Sequence, residues 1–140
     1  MYLLSTEQAF DAAHFLKGHL GACSNIHGHR WQVIARISSE KLEDTGSSRA
    51  MIMDFGDFKN ILKDLVDYYD HTLIYEKGSL RTSTIEALKE EGFQLTEVSF
   101  RPTSECFARH FYEELRARKL PVFDVTVYET PGNCSTYMEG

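Results

Sequence analysis

The chain has 140 residues, 42% of them apolar, and sets 21 acidic against 15 basic side chains for a formal charge of −6. This is one globular domain over residues 1–140, with enough apolar material for a single core. The acidic balance argues against nucleic acid as a partner, since non-specific binding needs a basic footprint, and no run approaches the ~18 consecutive apolar residues of a membrane span.

Met1-Tyr2-Leu3-Leu4-Ser5 lacks a basic region and a long apolar stretch, so no secretory signal is visible. Three scattered cysteines do not make a disulfide framework, and a reducing, cytoplasmic compartment fits best. Residues 2–14 and 29–39 read as two strands joined by a loop that carries Cys23. In the second strand Trp31, Val33, Ala35 and Ile37 share a face, and the same parity continues back through His29 and His27. Glu43 to Ser48 is a soft turn.

Asp54 is placed as a helix N-cap ahead of Phe55, Phe58, Ile61, Leu62, Leu65 and Val66, an apolar stripe at helical spacing that ends near Tyr68. A shorter helical pattern spans about Ser83 to Glu91 and stops at Gly92, and Phe93 to Phe100 reads as a short strand. Pro102-Thr103-Ser104-Glu105 opens a last helix whose buried ridge is Phe107, Phe111 and Leu115, with Pro121 barring continuation. Val122 to Thr130 is a strand, Pro131-Gly132-Asn133 a turn, and Cys134 to Met138 the returning strand. Strands first, helices next and strands last give an α+β sheet with helices on one face.

The chemistry-bearing residues cluster early. His27 and His29 flank a glycine, and alternation along a strand puts both imidazoles on one face. His14, on the neighbouring strand, brings the nitrogens to three, the ligand count of a catalytic zinc with an open fourth position. The competing reading of the His-x-His pair is two polar residues at a strand end. Cys23 has three readings: a fourth ligand that closes a structural zinc site, a buried small residue, or a reactive thiol acting as base or nucleophile. His19, beside Lys17 and Gly18, reads as solvated, and His110 as surface or packing.

Asp70-His71 follows a helix, where a capping histidine is the ordinary explanation. Glu129 continues the apolar face of Phe123, Val125 and Val127, which is costly for a carboxylate unless it meets a cation or donors. Thr103 and Glu105 stand in a first helical turn, where such residues more often cap than bind.

Taken together, these segments resemble the 6-pyruvoyl-tetrahydropterin synthase family, which includes the bacterial 6-carboxy-5,6,7,8-tetrahydropterin synthases of queuosine (7-deazaguanine) biosynthesis. The resemblance rests on Phe10-Asp11-Ala12-Ala13-His14, Cys23-Ser24-Asn25-Ile26-His27-Gly28-His29, Met53-Asp54-Phe55-Gly56-Asp57, Asp70-His71-Thr72-Leu73, Pro102-Thr103-Ser104-Glu105 and Glu129-Thr130-Pro131. It spans nearly the whole chain, and the spacing from Cys23 to His29 is similar to that of the bacterial carboxytetrahydropterin branch.

The resemblance implies a tunnelling fold: a four-stranded antiparallel sheet, two main helices between its second and third strands, and a β-barrel closed by homo-oligomerisation into trimers or hexamers. It implies that His14, His27 and His29 bind zinc, that Cys23 is the proton acceptor, and that Asp70, His71 and Glu129 form a relay. Glu129 is also implied as an anchor for the guanidine-like edge of a pterin, with Thr103 and Glu105 near the pocket. The implied reaction converts 7,8-dihydroneopterin triphosphate to 6-carboxytetrahydropterin with loss of acetaldehyde and triphosphate.

Three features depart from the family pattern: a longer segment over residues 76–100, Arg30-Trp31 after the second histidine of the pair, and Arg101 where asparagine is common. The alternatives are elimination of triphosphate alone, as in the pyruvoyl branch, side-chain cleavage of dihydroneopterin, and a non-enzymatic zinc module. Retention of Cys23 weighs against the cleavage branch, where glutamate tends to replace it.

Overall fold

The computed structural model describes residues 1–140. Strands β1 (Tyr2–His14) and β2 (His27–Ser39) form a long antiparallel hairpin, paired from Tyr2 with Ser39 to His14 with His27. Alternation decides which side of it is wet. Phe10, Ala12 and His14 of β1 and Trp31, Val33, Ala35 and Ile37 of β2 are buried on one face. Helices α1 (Phe55–Asp67) and α3 (Ser104–Ala117) complete that core with Phe58, Leu62, Leu65 and Val66, and with Phe107, Phe111 and Leu115. At its centre the rings of Phe10 and Trp31 stack with centroids 5.8 Å apart, and Phe107 packs against both.

The helix boundaries follow the expected local chemistry. Asp54 accepts from the amide of Gly56 at 2.7 Å, so it caps α1, which ends at Tyr68. Phe55, expected on the apolar stripe, stands at the first helical position and is 65% exposed, at the rim of an apolar cleft with Tyr2, Leu3 and Leu4. Helix α2 (Thr82–Glu90) buries no residue, and Gly92 ends the segment at φ 91°, a conformation that glycine adopts without Cβ strain.

The sheet departs from the expected four antiparallel strands. It is mixed and six-stranded, in the order β4-β3-β1-β2-β5-β6, with three α-helices in place of two. Strands β5 (Val122–Thr130) and β6 (Asn133–Tyr137) extend the antiparallel part from β2. On the other side β3 (Thr72–Glu76) pairs parallel with the end of β1 at Ala12 and Ala13, and β4 (Leu95–Val98) pairs parallel with β3. Parallel neighbours require a crossover, and the long segment carrying α2 supplies it. Within one chain the sheet is open, with edges at β4 and β6, rather than closed as a barrel. No helix is long and apolar enough to cross a membrane.

Candidate metal centre and active site

Pairing across the hairpin assembles the histidines. His14 faces His27 directly, His29 lies opposite Ala12 two positions along the strand, and all three side chains fall on the buried parity beside Trp31. Backbone carbonyls then fix the ring orientations. His14 Nδ1 lies 2.7 Å from the carbonyl of Pro102, and His27 Nδ1 lies 2.7 Å from that of Asn25. A carbonyl only accepts, so in each ring Nδ1 carries the hydrogen and Nε2 turns a lone pair into the site. The two Nε2 atoms stand 3.1 Å apart. His14 is fully buried, and burial holds its pKa below the ordinary histidine value, which keeps the ring in the neutral form a metal requires.

Glu129 completes the group. The β5–β6 register shifts between Tyr128 and Thr130, and such an irregularity re-aims the intervening side chain. Its Oε1 reaches 2.9 Å from His29 Nε2 and 3.2 Å from His14 Nε2. Donor atoms of His14, His27, His29 and Glu129 all lie within 4.8 Å of one another. His29 Nε2 is buried without a hydrogen-bond partner. Convergent lone pairs beside an anionic oxygen are the donor set of a cation such as zinc, so these residues fit the metal. On the solvent side His29 and Glu129 border a cleft of about 650 Å³, with Glu7, Arg30, Gln32 and Tyr128 around it.

Asp70 and His71 form a second group. Asp70 Oδ1 accepts from the amide of Asp11 at 2.8 Å, its Oδ2 lies 2.8 Å from His71 Nδ1, and the His71 amide donates to the Asp11 carbonyl at 2.6 Å. The Asp11 amide, followed by the His71 contact, holds the Asp70 carboxyl below the usual carboxylate range, and Asp70 in turn raises His71. His71 is exposed, stands beyond the α1 cap at Tyr68, and shares a shallower cleft with Asp11, His29 and Arg30. It is therefore not a helix cap.

Other expected site residues are not among the four converging donors. Cys23 sits half-buried in a single 3-10 turn, Ala22–Ser24, and its thiol is not among the four converging donors. All three cysteines are free thiols. Thr103 caps α3 by accepting from the Cys106 amide at 3.2 Å. Glu105 Oε1 accepts from the hydroxyls of Ser104 at 2.9 Å and Ser135 at 3.1 Å. Its own amide, with those hydroxyls, holds its carboxyl below the ordinary value. Arg30 pairs with Asp11 at 3.0 Å, and Arg101 donates to the Lys17 carbonyl at 3.1 Å. His19 is exposed, and His110 packs beside Phe100 with Nε2 2.8 Å from the Tyr69 hydroxyl.

Two supports escaped sequence reasoning. Asp11 carried only the signal of a charge on the wet face of β1, and the Pro102 carbonyl carried no side-chain signal at all.

The family model for 6-pyruvoyl tetrahydropterin synthase matches residues 3–140. The chain belongs to that family. Among relatives it is 37% identical to 6-carboxy-5,6,7,8-tetrahydropterin synthase of Haemophilus influenzae, over 99% of this chain and 100% of the relative. It is 32% identical to the protein of the same name in Rickettsia bellii, over 89% of this chain and 91% of that one. An uncharacterized protein from Wolinella succinogenes shares the fold at TM-score 0.82 and 22% identity, with 99% of this chain and 98% of that chain covered. The 6-pyruvoyl tetrahydropterin synthase of Caenorhabditis elegans does so at TM-score 0.67 and 23% identity, covering 100% and 98%.

Proposed function

We propose that this member of the family is a zinc-dependent lyase that converts 7,8-dihydroneopterin triphosphate to 6-carboxytetrahydropterin, releasing acetaldehyde and triphosphate, in queuosine biosynthesis. The observation that carries the reading is the convergence of His14, His27 and His29 through Nε2, with two of the rings oriented by carbonyls. The names of the sequence relatives support the carboxytetrahydropterin branch over elimination of triphosphate alone. Because the Cys23 thiol lies outside the donor set, a closed zinc centre of one cysteine and three histidines is disfavoured.

Zinc bound there supplies Lewis acidity toward the side-chain hydroxyls of the substrate. The chain's own residues do the rest. His14, His27 and His29 would hold the metal through Nε2, with the tautomers of His14 and His27 fixed by the Pro102 and Asn25 carbonyls. Cys23 accepts a proton, and His71, held by Asp70, passes one on as a general acid–base group. Glu129 and Glu105 are the carboxylates available to the pterin, Glu105 ionised beside Ser104 and Ser135. Thr103 contributes by placing Glu105 in the first turn of α3.

The open sheet edges at β4 and β6 suit a homo-oligomer, a trimer or hexamer, in which subunits cover one another's edges. The free thiols suit a reducing cytoplasm. Incubating the zinc-loaded protein with 7,8-dihydroneopterin triphosphate and weighing the products tests the reading. Acetaldehyde with the carboxylated pterin is expected. A pyruvoyl product without acetaldehyde moves the chain to the other branch, and unchanged substrate overturns the enzyme assignment.

A further inference from the structure

Glu129 is bonded unlike a carboxylate that only waits for substrate. Its Oε1 lies 2.9 Å from His29 Nε2, yet that nitrogen, buried, has no hydrogen-bond partner. The two atoms are close without meeting as donor and acceptor. His14 Nε2 is 3.2 Å from the same oxygen and 3.1 Å from His27 Nε2, and both of those nitrogens present lone pairs because their Nδ1 atoms donate to carbonyls. Lone pairs and an anionic oxygen converging in this way repel unless a cation stands between them. These three separations, 2.9, 3.1 and 3.2 Å, are also close to ligand spacing, within a group that spans up to 4.8 Å. Bonds of about 2.0–2.1 Å to a tetrahedral zinc put neighbouring ligand atoms about 3.3 Å apart.

We propose that Glu129 is the fourth ligand of the resting metal site, and that it is exchangeable. This rests on the zinc-lyase reading above and deepens it. Glu129 is the donor placed for exchange. Its side chain is 25% exposed where that of His14 is fully buried, and it borders the cleft of about 650 Å³ from which a ligand enters. It also stands where the β5–β6 register shifts, so no regular pair of ladder bonds fixes its backbone. A hydroxyl oxygen entering from the cleft takes the position that the carboxylate oxygen leaves, one oxygen ligand for another with no change of oxidation state. The released carboxylate then lies in the cleft beside the bound molecule, able to accept a hydrogen bond from it.

The test uses the full chain loaded with zinc or with cobalt(II), whose visible spectrum reports the ligand set. Zinc affinity is measured by competition with a chromogenic chelator for wild type, Glu129→Gln and Glu129→Asp, the last too short by one methylene to reach the histidines unchanged. A loss of at least tenfold in both variants is expected. Cobalt spectra of wild type and Glu129→Gln differ at rest and become superimposable on saturation with 7,8-dihydroneopterin, because the side chain at position 129 is then off the metal in both. Equal affinities and equal resting spectra overturn the fourth-ligand assignment, and spectra that stay different at saturation overturn the exchange. A wild-type protein that binds neither metal overturns the zinc reading itself, an outcome distinct from the other two.

Discussion

His71 has φ 59°, a left-handed conformation uncommon outside glycine, and the strain is held by bonds from both sides. Its amide is tied to the Asp11 carbonyl and its ring to Asp70, which is itself tied to the Asp11 amide. The arrangement sacrifices backbone comfort for ring position, so glycine at this position should relieve what alanine cannot. Urea denaturation is expected to find His71→Gly more stable than His71→Ala by about 1 kcal/mol, with turnover lost in both. Equal stabilities would show that the backbone is not strained there. The pH dependence of the pair has a definite sign. The Asp70 pKa is lowered, so its contribution is present above the unfolded carboxylate value and fades as pH falls through the folded one. The His71 pKa is raised, so its contribution is full below about pH 6.5 and fades as pH rises through the folded value. The stabilising window is therefore about pH 4 to 6.5. Cys23 is tested by a different split: Cys23→Ala should abolish turnover while zinc content, measured by elemental analysis, stays at the wild-type level. Loss of zinc together with turnover would make the thiol a ligand.

At the scale of elements, the start of α3 supports the histidine cluster. The Thr103 hydroxyl caps the helix, and the preceding Pro102 carbonyl orients His14. Thr103→Ala is expected to cost about 1 kcal/mol in denaturant unfolding and to weaken zinc binding, whereas Thr103→Ser keeps both. Destabilisation with unchanged zinc affinity would separate the cap from the site. The same elements mark where sequence reading succeeds and where it stops. The parity of β1 and β2 is written in Phe10, Ala12, Trp31, Val33 and Ile37, so the convergence of three histidines could be read without coordinates. Glu129 was legible as a carboxylate on an apolar face, but its destination depended on a register shift that leaves no periodic trace. Strand β3 was not legible. Five residues, Thr72–Glu76, are too short to show a period, and they form a strand because the end of β1 and the whole of β4 offer backbone partners. That parallel docking turned an expected antiparallel sheet into a mixed one and placed Asp70-His71 beside Asp11. The Pro102 carbonyl belongs to the backbone, where residue identity says little.

The whole molecule rests on one aromatic core, and half-buried His110 packs at its margin. The ring packs against Phe100 and Phe111, and its Nε2 lies 2.8 Å from the Tyr69 hydroxyl. Burial lowers the His110 pKa, outweighing the opposing pull of Glu114 and Glu113, and burial also raises that of Tyr69. Both groups are thus held neutral. Protonating His110 would force a charge into this packing. The sign follows from linkage. Below about pH 6.5 the unfolded chain takes up the proton before the folded one does, so stability falls as pH drops from there toward the folded pKa and levels off beneath it. His14, also lowered by burial, adds a slope of the same sign. The contribution of His110 is therefore read as a difference between variant and wild type at matched zinc loading. His110→Gln keeps a polar partner for the Tyr69 hydroxyl but cannot titrate. Chemical unfolding of both proteins between pH 5 and 7.5 should show a shallower acid limb in the variant, with the two curves closest in shape above about pH 6.5. Parallel curves across the whole range would mean that His110 takes up its proton as readily in the folded core as in the unfolded chain.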